Sequence, residues 1–125
     1  MSTLNVANIT DGTDTVETGY VVNGSAKAWC SHTGVGTIAI NDSLNASGIV
    51  DRGVGQYRTN FSTSFGNTNY AIVGTSNQAP SGQEATVNIE SSPSASGVSY
   101  RVTGTQNLSY IDKEAAYISC FGDLA

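Results

Sequence analysis

From Tyr20 onward the apolar positions of the chain recur at every second residue, the spacing of half-buried β-strands. In Gln56 to Phe61, the residues Tyr57, Thr59 and Phe61 share one face while Gln56, Arg58 and Asn60 share the other. In Glu84 to Glu90, the residues Ala85, Val87 and Ile89 alternate with Glu84, Thr86, Asn88 and Glu90. In Gly97 to Thr103, the residues Val98, Tyr100 and Val102 alternate with Ser99, Arg101 and Thr103. Ala116 to Phe121 is apolar on both faces, the pattern of a central strand or of one covered by another subunit. The same reading places strands at Ser25 to Ser31, Thr37 to Ile40, Ser47 to Val50 and Tyr70 to Thr75.

Turn chemistry separates these runs: Thr33-Gly34-Val35-Gly36, Asp51-Arg52-Gly53-Val54-Gly55, Gly66-Asn67-Thr68-Asn69 and Ala79-Pro80-Ser81-Gly82, with a longer loop over Ser91 to Ser96. No segment sustains helical spacing; Ile111 to Ala116 has room for one turn at most. About seven to nine short strands with turns at such intervals predict an all-β fold, an antiparallel β-sandwich of immunoglobulin-like or jelly-roll type, over residues 20–125. Residues 1–19 read differently. Leu4, Val6 and Ile9 are interleaved with Asn5, Asn8 and Thr10 and precede an acidic, Thr-rich run from Asp11 to Glu17. Too poor in apolar residues to fold alone, this stretch is expected to be an extended N-terminal arm that gains order by packing on a neighbour.

Composition fits a β domain whose charge has been replaced by hydroxyls and amides. The 125 residues include 16 Ser, 14 Thr, 11 Asn and 14 Gly, and only 12% are charged. Ten aromatics spread along the chain, with the alternating runs, argue for a folded core over low-complexity disorder. The net charge is −5 with five Lys and Arg in all, which argues against nucleic acid and anionic membranes as partners. The apolar runs are far shorter than the roughly 20 residues of a membrane helix, and Met1 to Asn5 lacks the pattern of a secretory signal. The chain is therefore expected to be made in a cytoplasm.

The chemistry of catalysis is sparse, and the sequence reads as a non-enzyme without a cofactor. His32 is the sole histidine and sits beside a Gly-rich turn, where a surface position is expected. No nucleophile-elbow pattern frames a serine. Asp42, Asp51, Glu84, Glu90 and Asp112 fall in turns and on polar strand faces, placements that favour solvation over a paired-carboxylate site. Gly53-Val54-Gly55 precedes a strand, whereas a dinucleotide site needs a helix there. Cys30 and Cys120 are either a cross-strand disulfide or two small buried thiols, and a reducing compartment favours the thiols. With one histidine they match no zinc motif. Trp29 and the six tyrosines have the rings to stack on sugars, but most lie inside strand runs; Tyr110, in a polar stretch, is the tyrosine least committed to a core.

Val21-Val22-Asn23-Gly24-Ser25-Ala26-Lys27-Ala28-Trp29 resembles the NGxAKAW opening of a module found in tail fibres of marine and freshwater phages. The resemblance continues through Thr33-Gly34-Val35-Gly36-Thr37-Ile38-Ala39-Ile40, similar to a GTGTVAI-like turn and strand. It extends to Ala46 to Phe61, similar to a hairpin of SSITDNGTGDYTVNF type, and to Thr68-Asn69-Tyr70. Leu4 to Ile9 and Ala116 to Phe121 resemble the module's lead-in and closing strand. Ser31-His32, Arg52, Gln56 and Phe65-Gly66-Asn67 depart from it. The resemblance implies a virion protein, homotrimeric, joined to other virion proteins through residues 1–19. It further implies that the tip loops bind a host cell-surface glycan or protein. Recognition is expected in the divergent loops 76–83, 91–97 and 104–110, which nominates Asn77, Gln78, Gln83, Ser94, Asn107 and Tyr110 as receptor contacts. Two alternatives stand beside it: a capsid decoration or cement protein built on the same sandwich, and a carbohydrate-binding module.

Overall fold

The computed structural model of the chain describes residues 1–77, 83–90 and 92–125. The alternation read from the sequence becomes ten strands among the described residues: β1 (Asn8–Thr10), β2 (Thr15–Glu17), β3 (Ala28–Thr33), β4 (Ala39–Leu44), β5 (Ala46–Gly53), β6 (Gln56–Phe61), β7 (Ala71–Ser76), β8 (Ala85–Ile89), β9 (Gly97–Gly104) and β10 (Ala116–Phe121). β3 to β10 form two four-stranded antiparallel sheets. The first has the order β4-β3-β10-β7 and the second β5-β6-β9-β8. The expected antiparallel sandwich is borne out. β10, apolar on both faces, is a central strand between β3 and β7.

The core lies between the sheets and is supplied by alternate residues of the inner strands. Cys30, Ile118 and Cys120 of the first sheet meet Tyr57, Phe61, Val98, Tyr100 and Val102 of the second. Phe61, Phe65 and Tyr70 close one end as an aromatic cluster, Phe65 and Tyr70 stacked with ring centroids 4.1 Å apart. Cys30 and Cys120 are free buried thiols. Cys30 is paired in register with Ile118 and Cys120 with Ala28, so the two sulfurs are diagonal neighbours. Diagonal positions stand roughly 7–8 Å apart, at or beyond the reach of a disulfide. Burial pushes the Cys120 thiol up to about 12 and raises that of Cys30 as well.

Two expectations are corrected. Residues 1–19 are not a single extended arm: β1 and β2 pair as a hairpin, and a helix, α1 (Thr18–Gly24), follows at once. Tyr20 to Val22 therefore lie in a helix and not at the start of a strand. This apolar run is only three residues long, between Gly19 and Asn23-Gly24, too short to complete a ladder. The ammonium of Lys27 donates to the Val22 and Ser25 carbonyls and caps the last turn. Ile111 to Ala115 contains no helical turn. The second correction is His32, which is fully buried. β3 runs two residues further than its apolar pattern suggests, and Ala28, Cys30 and His32 all face inward.

Candidate functional site

Strand direction sorts the loops to two ends of the sandwich. At the entry end lie the start of β3, the end of β10, the β6–β7 connection and the β8–β9 loop. At the far end lie the β3–β4 turn, the β5–β6 turn, the β7–β8 connection and the long 105–115 segment. Asn77, Gln83, Asn107 and Tyr110 all belong to the far end. Ser94 does not: it sits on the β8–β9 loop, where its hydroxyl donates to the Gly97 carbonyl and accepts from the Arg58 guanidinium, both at 2.9 Å. Tyr70 donates to its carbonyl at 2.9 Å. These bonds make Ser94 an internal fastener of the entry end. Gln78 and the Ala79-Pro80-Ser81-Gly82 turn lie outside the described residues.

The far end is laced by its own polar groups. Gln83 Nε2 donates to Asn107 Oδ1, which also accepts from the Ser109 amide and so shapes the 105–109 turn. Asn77 is half-buried and exchanges bonds with Ala115, its amide donating to the Ala115 carbonyl and its side-chain oxygen accepting the Ala115 amide, each at 3.0 Å. Asn77 is thus spent on structure, while Asn107 and Tyr110 stay exposed. An open cleft of about 240 Å³ between the ends of β7 and β8 is lined by Ser76, Asn77, Glu84, Ala85, Thr86 and Thr105.

Three residues that carry this end were not among the nominated contacts. Lys113 is buried, its ammonium donating to the Gln83 carbonyl at 2.5 Å while its own carbonyl accepts the Gly34 amide at 2.8 Å. Asp112 accepts from the Gly55 amide at 2.7 Å and from the Tyr57 hydroxyl at 2.6 Å. Gly55 is the third: φ is +62°, and a Cβ would stand 2.6 Å from the Ile111 amide nitrogen. Only glycine lets the β5–β6 turn and the 105–115 segment approach so closely. An isolated Asp or Lys in a polar stretch carries no sequence signal of such pairing.

Beneath this end His32 packs edge-on against Tyr57, ring centroids 4.7 Å apart, with Tyr100 at 5.8 Å. Its Nδ1 lies 3.2 Å from the Thr33 carbonyl, and its Nε2 has no partner among the described residues. Burial holds the imidazole below its ordinary value, partly offset by the Thr33 carbonyl. Burial, then the Asp112 carboxylate, push the Tyr57 phenol far above its ordinary value. A neutral imidazole between two neutral phenols is core packing with a polar edge. It is sealed from solvent, so no substrate reaches it.

On the outer face of the second sheet Glu90 accepts from two arginines, Arg52 at 2.5 Å and Arg101 at 2.7 Å. Bonding to Arg101, then its charge and that of Arg52, hold the Glu90 carboxyl below the usual carboxylate range against some desolvation. Arg101 also lies over the Tyr110 ring, 5.0 Å from its centroid. Among the described residues no group of three or more His, Cys, Asp or Glu is placed to hold a metal ion, and no helix is long and apolar enough to cross a membrane. Comparison with protein-family models, with curated proteins and with solved structures finds no match to this chain.

Proposed function

We propose that the chain is a phage attachment protein, the tip domain of a tail fibre, whose far-end loops bind a host-surface glycan or protein. The observation that carries this reading is the separation of the two ends. The chain enters the sandwich at Ala28 and leaves it at Phe121 on one end, while Gln83, Asn107 and Tyr110 are presented at the other. A domain tethered at its entry end holds those loops outward. The resemblance of residues 21–61 to tail-fibre modules points the same way, and exposed amides and hydroxyls suit polar sugar contact. Within this proposal the fibre tip is a homotrimer and residues 1–19 join it to its support.

The test is competition. Soluble protein at saturation is expected to block adsorption of the phage that encodes it, and Asn107→Ala/Tyr110→Ala is expected to block less well. Failure of the native protein to compete refutes the receptor reading. Gold-labelled antibody on intact virions then separates the readings further, since label over the head in place of the tail supports capsid decoration.

A further inference from the structure

The molecule carries three arginines, Arg52, Arg58 and Arg101, and all three emerge on the outer face of the second sheet. The two lysines are elsewhere: Lys27 caps α1 and Lys113 is buried at the far end. In a chain of net charge −5 this face is the one concentration of positive charge. Its construction is specific. A bulge between Asp51 and Gly53 leaves Arg52 outside the β5–β6 ladder, and its guanidinium reaches across the sheet to Glu90, at the end of β8. Arg101, on β9, takes the other oxygen of the same carboxylate.

The layering matters more than the pairing. The Glu90 side chain is 12% exposed, whereas those of Arg52 and Arg101 are 42% and 36% exposed. The carboxylate fixes two guanidinium groups that are partly exposed. Arg101 Nε is buried and Nη2 is spent on Glu90, which leaves Nη1 free among the described residues, and Arg52 gives only Nη1 to Glu90. Arg58, diagonal to Arg101 across β6 and β9, is held by Asn60 and Ser94 and adds a third fixed cation. Glu84 stands beyond the other end of β8, and Asp51 turns its carboxylate to the Gly53 amide. Beside the cations stand Gln56, Asn88 and Thr103, with amide and hydroxyl groups, and the exposed ring of Tyr110 under Arg101.

We infer that this face is a binding site for an acidic saccharide, its carboxylate or phosphate engaged by Arg52 and Arg101 and its ring set against Tyr110 and the neutral polar groups. Two pre-positioned guanidinium groups suit a planar or tetrahedral anion, and neighbouring amides and hydroxyls suit sugar hydroxyls. The inference deepens the receptor reading, on which its biological setting rests, by naming the ligand class and moving part of the contact from the loops onto the sheet.

The experiment titrates the full chain with hexagalacturonate (carboxylate), a phosphomannan oligosaccharide (phosphate) and neutral maltohexaose by calorimetry. Binding of either acidic probe, well above maltohexaose and weakened as salt is raised, is expected; which probe binds identifies the anion. Arg52→Gln/Arg101→Gln should lose about tenfold or more in affinity. Lys27→Gln, which removes one positive charge elsewhere and so matches the single Arg52→Gln variant, should stay within about twofold of the native protein. Should the double variant unfold with Glu90 unpaired, Arg52→Gln alone, at the exposed sheet edge, should still weaken binding several-fold with its melting transition intact. No binding of either acidic probe, equal binding of maltohexaose, or equal loss with Lys27→Gln overturns the inference. Adsorption competition is scored in parallel. Competition that survives the double variant rejects this face and keeps the receptor reading, whereas Arg-dependent saccharide binding without competition does the reverse.

Discussion

His32 shows how a single position answers to its surroundings. The alternation of β3 puts it in the core, where burial against Tyr57 and Tyr100 favours the uncharged ring. A free imidazole titrates at 6.5, and burial depresses that value in the folded chain. Above 6.5 both folded and unfolded chains carry neutral His32, and stability is intact. As pH falls below 6.5 the unfolded chain binds a proton that the folded chain resists, so stability declines, by at most about 1.4 kcal/mol per pH unit from this residue. Glu90 is held low by its arginines, and its contribution is lost only at more acidic pH, below the ordinary 4.5 of a glutamate. Urea denaturation between pH 7.5 and 5.5 is expected to show this slope in the native protein and a flatter one in His32→Gln. Parallel slopes would mean that the core accepts the proton at no cost. The sequence suggests a surface position for His32 because a Gly-rich turn follows it; nothing local marks an imidazole that two distant tyrosines will enclose.

At the scale of elements, residues 1–24 stand apart. β1, β2 and α1 are regular, yet none of their side chains is buried, and Leu4, Ile9, Tyr20 and Val22 are exposed. A two-stranded hairpin and a seven-residue helix are each marginal in water alone. Removing residues 1–24 is therefore expected to leave the unfolding free energy of the sandwich, from urea denaturation, within about 0.5 kcal/mol of the full chain. A loss of several kcal/mol would show that this segment completes the core. The strands of the sandwich were legible because their alternation is strict: β6 and β10 begin and end where the apolar pattern does. α1 was not, since a three-residue apolar run between glycines has no period to read, and its caps come from Lys27 and Ser25 outside the run.

For the whole molecule, the two outer faces of the sandwich differ in kind. The second sheet presents the arginine belt, whereas the first presents Leu44, Trp29, Ser119 and Val73 in one cross-strand row, with Tyr117 in the next beside Asp42, Ser31 and Thr75. Leu44, Val73 and Tyr117 are 48%, 58% and 40% exposed. Exposed apolar side chains set among Ser119, Ser31, Asp42 and Thr75 make a mixed face that suits burial between subunits, in keeping with the proposed trimer. Sedimentation equilibrium is expected to give three times the chain mass of 12.9 kDa, and Val73→Lys/Tyr117→Lys to shift the protein to monomer; a monomeric native chain would contradict the trimer. The sequence by itself determined the fold class, most strand positions and the loop segments, because a period of two and turn residues are local properties of the chain. Tertiary structure alone decided that Ser94 and Asn107 belong to opposite ends, that Asp112 serves Tyr57, and that Arg52 reaches Glu90. These pairings join residues 38 or more positions apart in the latter two cases, and no local pattern encodes a contact made only when two sheets fold together.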